Sequence, residues 1–189
     1  MARKRRSRSL ASEPLCDPGA GDAFARQVAY RYLARSSRST EEVRAHLTRR
    51  GFPPETVADA LRALRDLGYI DDAALAGRRA EELLLRRGCG RLRVAHELTR
   101  RGLADSVVDA AIAVILQDRT ERQLAREALD RRLRGQPLLG LADRVRAFRF
   151  LVARGHPADI VEEILGDDNG RPMSAADCKS ATDIGDGDR

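Results

Sequence analysis

The chain of 189 residues has 4% aromatic content and no Trp, so its core must be built from Leu, Val, Ile and Ala. That suits small helical bundles and disfavours a large sheet enzyme. A formal net charge of +6, with 34% charged residues, favours an anionic partner, either nucleic acid or an acidic protein face. Nearly all of that charge is Arg, with Lys only at positions 4 and 179, a bias that a GC-rich genome produces regardless of function. Cys16, Cys89 and Cys178 are scattered, which disfavours a disulfide framework or zinc site and fits a reducing, cytoplasmic setting. No apolar run approaches the roughly 20 residues of a membrane-spanning helix.

Residues 1–21 are rich in Arg, Ser, Pro and Gly without periodicity, the composition of a disordered basic tail. Order is expected from about Asp22, where Ala25, Val28, Ala29, Tyr32 and Leu33 follow helical spacing up to Ser36-Ser37. Ser39-Thr40-Glu41-Glu42 is a capping box: the Ser39 hydroxyl accepts from an orphan amide while Glu42 reaches back. The second helix ends at Arg49-Arg50, cations at the negative end of the dipole, and Gly51 supplies a left-handed stop. A third helix is expected over about 54–67, with Val57, Ala60, Leu61 and Leu64 as its apolar stripe. Gly68 stops it, and Asp71-Asp72 opens a longer helix toward Arg87.

Gly88-Cys89-Gly90 breaks that helix. No strand precedes the glycines and no Gly-Lys-Ser/Thr follows, so they read as a hinge between helices and not as a phosphate loop. Helices are then expected over about 91–101, 105–116, 119–134, 141–154 and 157–165, with Gly135-Gln136-Pro137 ending the third of these. From Gly166 the chain becomes Asp- and Gly-rich, an acidic disordered tail without the alternate ligands and closing Glu of a calcium loop.

One pattern recurs. Aligned on Gly51, Gly102 and Gly155, each copy has Leu four residues before (Leu47, Leu98, Leu151) and Arg directly before (Arg50, Arg101, Arg154). Val follows at six (Val57, Val108, Val161), and Leu or Ile at ten (Leu61, Ile112, Leu165). A period of roughly fifty residues is the signature of a helical repeat array, in which neighbouring units cover surface that one unit cannot bury alone.

Catalytic groups do not converge. His46 and His96 stand at different offsets from their glycines, His156 follows Gly155 as a capping residue, and the adjacent Glu pairs point to different helix faces. No catalytic residue, metal ligand or cofactor motif is assigned. Arginine is the informative residue: Arg38, Arg44, Arg49 and Arg50 gather around the first copy, and Arg86, Arg87, Arg91, Arg93, Arg100 and Arg101 around the second. Guanidinium suits phosphate or carboxylate forks. The alternative is that these side chains are solvated surface lying over apolar helices.

Leu33-Ala34-Arg35-Ser36-Ser37-Arg38-Ser39, Glu42-Val43, Arg50-Gly51-Phe52, Gly68-Tyr69-Ile70-Asp71-Asp72 and Ala76 together resemble the bacterial regulatory RecX family. So do Gly88-Cys89-Gly90, Glu97-Leu98 and Arg101-Gly102-Leu103 in the second copy. The likeness runs from about 29 to 165. His156 stands where an aromatic is expected after Gly155, and Leu75 where the family often has an aromatic. The resemblance implies an all-α fold of three tandem three-helix repeats (22–70, 71–117 and 118–166) in an elongated, curved array between the two tails, 1–21 and 167–189. It further implies a protein that is not an enzyme; a monomer is expected separately, because the apolar helix stripes are consumed inside the repeats. Such a protein binds RecA or the RecA–single-stranded DNA filament, with possible direct DNA contact, and restrains ATPase and strand exchange. The arginines named above would then form the RecA- or DNA-facing surface. A stand-alone nucleic-acid-binding protein is the alternative, although Glu55, Asp59, Asp105 and Asp109 occupy the turns that would have to approach phosphates. A bare helical scaffold for another protein is a third reading.

Overall fold

The computed structural model of the protein describes residues 18–166, and every regular element among them is helical. The helices are α1 (Pro18–Leu33), α2 (Thr40–Arg49), α3 (Pro54–Asp66), α4 (Asp72–Glu81), α5 (Arg91–Arg100), α6 (Asp105–Asp118), α7 (Glu121–Leu133), α8 (Leu141–Ala153) and α9 (Ala158–Gly166). The two tails expected to be disordered lie outside the described residues, except that α1 starts at Pro18 and not near Asp22. Proline suits a first helical position, because its fixed φ is helical and its missing N–H would be unpaired there. Toward Arg87, α4 does not simply continue. It passes into a π-helical turn, Glu82–Arg86, closed by the Arg87 amide donating to the Glu82 carbonyl at 3.0 Å.

The chain divides into two compact units: residues up to Ser36 with Val43–Tyr69, and Ser37–Glu42 with the chain from Ile70 onward. In the first unit α1 packs on α3. Ala25, Val28 and Ala29 of α1, Val43 and Leu47 of α2, and Val57, Ala60, Leu61 and Leu64 of α3 are all buried, the stripes expected from spacing. Tyr30 meets Tyr69 edge-on with ring centroids 4.8 Å apart, and Tyr32 stacks on His46 at 4.1 Å.

The second unit holds two apolar clusters. Leu75, Ala76, Ala80, Leu83 and Leu84 join Val94 and Leu98 of α5, Val108 and Ile112 of α6, and Leu124 of α7. Ala125, Ala128 and Leu129 of α7 pack with Phe148 and Leu151 of α8 and Val161, Ile164 and Leu165 of α9. Each fully buried Leu contributes roughly 1.5–3 kcal/mol, against about 0–1 for a surface ion pair, so these clusters carry the stability. α7 opens on a capping box that the sequence reading did not mark, Thr120 with Gln123.

The Arg–Gly turn is built the same way three times. Gly51, Gly102 and Gly155 have φ of 85°, 77° and 85°. Each is followed by an amide reaching back five residues: Phe52 to Leu47, Leu103 to Leu98, His156 to Leu151. Each leads into a helix start in which a Val amide (Val57, Val108, Val161) bonds a carbonyl four residues earlier.

Candidate functional site: an arginine cleft beside a glycine joint

Within the second unit, two Arg–Gly turns seat against the starts of other helices. The first is Arg101–Gly102. The Ser39 hydroxyl, already the N-cap of α2, donates to the Arg101 carbonyl at 2.5 Å. Arg101 forks Glu42 through Nε (3.2 Å) and Nη2 (2.9 Å), and Nη2 also donates to the Ser37 carbonyl at 3.1 Å. Thr40 donates its amide to Asp72 Oδ1 at 2.8 Å. Burial alone would raise the Glu42 pKa, but the Arg101 and Ser39 hydrogen bonds and the charges of Arg101 and Arg38 outweigh it and hold the carboxyl below its ordinary range.

The second joint involves Gly88-Cys89-Gly90, which the sequence presents as a hinge. All three residues are buried. The Gly90 amide donates to the Arg154 carbonyl at 2.8 Å and the Leu92 amide to the Gly155 carbonyl at 3.1 Å. Backbone meets backbone so closely that a Cβ at Gly90 would sit 2.2 Å from the Gly155 oxygen, and one at Gly155 2.4 Å from the Arg93 nitrogen. His156 is 2% exposed, with Nε2 3.3 Å from the Gly88 carbonyl. A carbonyl can only accept, which assigns the proton to Nε2. Burial, aided by the nearby Arg154 charge, holds the imidazole below its ordinary pKa despite the Gly88 bond.

Beside this joint opens a cleft of about 430 Å³ lined by Arg86, Arg87, Ala128, Arg131, Arg132, Arg134, Phe150 and Arg154. Six arginines and no carboxylate line it. Some are already committed: Arg131 Nη1 donates to the carbonyls of Leu85 (3.2 Å) and Arg86 (3.1 Å), Arg154 donates to the Arg87 carbonyl, and Arg87 pairs with Glu82 at 2.8 Å. Arg86, Arg132 and Arg134 are exposed and have no carboxylate at ion-pair distance among the described residues. Phe150 forms one wall, with the guanidinium carbons of Arg132 and Arg154 4.6 and 4.7 Å from its ring centroid. These contacts hold two planar forks in fixed orientation. Arg134 has φ 51°, the one non-glycine residue with positive φ among the described residues, at the C-terminal end of α7. A left-handed residue is an ordinary way to end a helix, and outside glycine it costs about 1–2 kcal/mol. Chemically the cleft can take phosphate oxygens in bidentate fashion.

A larger cleft, about 700 Å³, lies between α4 and α6 over Ala73, Gly77, Ala110 and Ala111. It is apolar, and Arg119 on its rim is paired with Glu127 at 2.5 Å. Nothing in it converges on an anion.

The ten arginines singled out from sequence take different places. Arg86 and Arg87 line the basic cleft. Arg91 pairs with Glu121 at 2.7 Å, and Arg93 reaches the Ala153 carbonyl at 3.3 Å. Arg38 and Arg101 converge on Glu42. Arg49, Arg50 and Arg100 are exposed, and Arg44 is half-buried. Sequence reasoning missed Arg131, Arg132, Arg134, Arg154 and Phe150. The signal that could have found the first three is the run Arg131-Arg132-Leu133-Arg134 ending a helix just before Gly135.

Residues 25–69 match the family model described as the first three-helix domain of RecX, and residues 71–112 match that of the second. The regulatory protein RecX of Deinococcus radiodurans is 34% identical over 168 residues, covering 84% of this chain and 78% of that protein. The chain belongs to the RecX family. The regulatory protein RecX of Halorhodospira halophila is 36% identical over 156 residues, 78% of this chain and 89% of its own length. The crystal structure of RecX from Lactobacillus salivarius shares the fold at 19% identity, with a TM-score of 0.64 over 79% of this chain and 97% of that one. Both joints include residues inside the RecX matches, Ser39 to Gly102. The basic cleft adds the side chains of α7 and α8 to Arg86 and Arg87.

Proposed function

We propose that the chain is a cytosolic, non-enzymatic regulator that binds RecA or its filament on single-stranded DNA and restrains ATPase and strand exchange. We further propose that its three helical groups, bounded as the repeats suggest, act as successive modules along that filament. Family membership supports the RecA assignment, and the cleft carries the DNA-facing part. Six arginines without a lining carboxylate, on a rigid joint, offer planar forks that match a phosphodiester backbone, as they also match the carboxylates of an acidic protein face. The exposed Arg49, Arg50 and Arg100 and the half-buried Arg44 are assigned to the same RecA- or DNA-facing role on their charge alone.

The test is the single-stranded-DNA-dependent ATPase of the cognate RecA, titrated with the wild-type chain and with Arg132→Glu/Arg134→Glu. Inhibition at low ratios by the wild type, weakened in the variant, supports the reading. A salt series of DNA binding without RecA runs beside it. If the cleft neutralises about three phosphates, reversal of both charges lowers the slope of log K against log salt by roughly 2, at about 0.7 per single-strand phosphate. Tight salt-sensitive DNA binding with no effect on the ATPase replaces the regulator with a stand-alone nucleic-acid-binding protein.

A further inference from the structure

The Arg–Gly turn is built three times, and two of the three are seated within the second unit. Around Gly102 and Gly155 a Cβ would collide with Glu41 at 2.5 Å and with Arg93 at 2.4 Å. Around Gly51 there is nothing within 4 Å. Arg50 and Gly51 are exposed, although the turn has the same φ and the same hydrogen bonds as the seated copies. A surface shaped for a partner twice is left open once.

The seat also has a spare. In the first joint it is the start of α2: an N-cap, Ser39, and a carboxylate three residues on, Glu42, which caps the Ser39 amide at 2.9 Å while accepting the Arg101 fork. α8 starts with a carboxylate at the same offset, although its N-cap has no side chain to donate to a seated turn. Gly140 is its N-cap, and Asp143 stands three residues on, accepting the Leu139 amide at 3.2 Å. At Gly140 a Cβ would meet open space, where the equivalent Gly90 is filled by Gly155. Leu139 and Leu141 beside it are 80% and 60% exposed. The present partner of Asp143, Arg146 at 3.0 Å, is 71% exposed, a surface pair that another guanidinium can displace at little cost.

We propose that the Arg50–Gly51 turn of one copy of this chain docks on the α8 start of a second copy, with Arg50 taking Asp143 as Arg101 takes Glu42. Each copy offers one turn and one seat, so the contact pairs two different surfaces. The sequence-based expectation of a monomer rests on apolar stripes being consumed inside the repeats. A contact made by a polar turn escapes that argument. The proposal stands whether or not the chain acts on RecA.

Sedimentation equilibrium of the full chain, from low to high micromolar concentration at low salt, tests it. The weight-average mass should rise with concentration. Arg50→Glu and Asp143→Arg should each stay monomeric alone, because each sets like charges against one another. Their equimolar mixture should associate, since every contact in it pairs opposite charges. Circular dichroism of each variant should match the wild type, as both positions lie outside the apolar clusters. A wild type that is monomeric throughout, an association indifferent to both reversals, or a mixture that stays monomeric while the wild type associates overturns the proposal.

Discussion

Replacing Gly90 with Ala isolates the glycine joint, because nothing else about the position objects to a side chain. Its backbone is extended, φ −82° and ψ 165°, so Ala brings no conformational strain. The only obstacle is the chain opposite, with the Gly155 oxygen and the His156 nitrogen both 2.2 Å from the new carbon. Van der Waals separation for such pairs is about 3.5 Å, so the two backbones must part by about an ångström. That stretches the 2.8 Å bond from position 90 to Arg154 and the 3.1 Å bond from Leu92 to Gly155 past useful length. Two backbone bonds are worth about 1 kcal/mol each net, and an amide left buried costs about 1–3 more, so the joint should weaken by about 3–5 kcal/mol. Hydrogen exchange at positions 90 and 92 reads this directly. At 1.4 kcal/mol per tenfold, opening should be roughly a hundredfold to several thousandfold more frequent. Gly51→Ala is the control: open space and φ 85° leave only the left-handed penalty of about 1–2 kcal/mol, and exchange at positions 90 and 92 should not change. Unaltered exchange at both amides in the Gly90 variant would falsify the packed-joint reading and restore the hinge.

Acidification should loosen the same joint. His156 is held below its ordinary 6.5, so the unfolded chain takes the proton first. The stabilisation is complete above 6.5 and is lost as pH falls from there through the lowered folded value. Urea midpoints of the chain should fall between pH 7 and 5 in the wild type and stay flatter in His156→Leu; an equal slope in both refutes the assignment. Glu42, held below 4.5, adds a second window: its contribution persists above 4.5 and disappears as pH drops through the lowered folded value. Arg101→Ala should cost about 1–2 kcal/mol, a charge-assisted fork discounted for side chains 23% and 22% exposed. Arg62→Ala, whose pair with Asp59 is 70% and 51% exposed, should fall within about 0.5 kcal/mol of wild type in the same denaturation series.

What could be read in the sequence was whatever a segment decides by itself. The stops at Gly51, Gly102 and Gly155, the Ser39 capping box and the apolar stripe of α3 are local bargains between a few neighbouring residues, and all appear as expected. The family match agrees with the tandem order of the first two repeats. Gly88-Cys89-Gly90 shows where that legibility stops. A glycine demanded by its own φ, as at Gly88 (φ 61°), and one demanded by a backbone 65 positions away, as at Gly90, look identical in a string of letters. The same holds for the cleft. Arg86 and Arg87 were visible as a cluster, but the Arg132–Phe150 and Arg154–Phe150 contacts that orient its forks bring α7 and α8 together, and no spacing rule relates them.

The arginine before each glycine makes the point most sharply. Arg50, Arg101 and Arg154 occupy one position in three copies, and helix-dipole reasoning gives them one role. The structure gives them three: Arg50 stands exposed, Arg101 forks Glu42, and Arg154 donates to the Arg87 carbonyl while its guanidinium lies over Phe150. What separates them is the occupant facing each turn, which in a repeat array is another segment of the same fold. A repeat therefore conserves the turn and leaves its use to context. In Arg101 and Arg154 that use is holding the turn against another segment of the second unit. Reversing the charge of either should loosen a joint before it weakens binding to an anionic partner, whereas reversing Arg132 and Arg134 should do the opposite. Hydrogen exchange at position 90 and the salt slope of DNA binding, measured on Arg154→Glu and on the Arg132/Arg134 pair, separate the two roles. If the double reversal opens the joint and leaves the salt slope intact, the cleft is structural and the DNA-facing surface must be sought elsewhere.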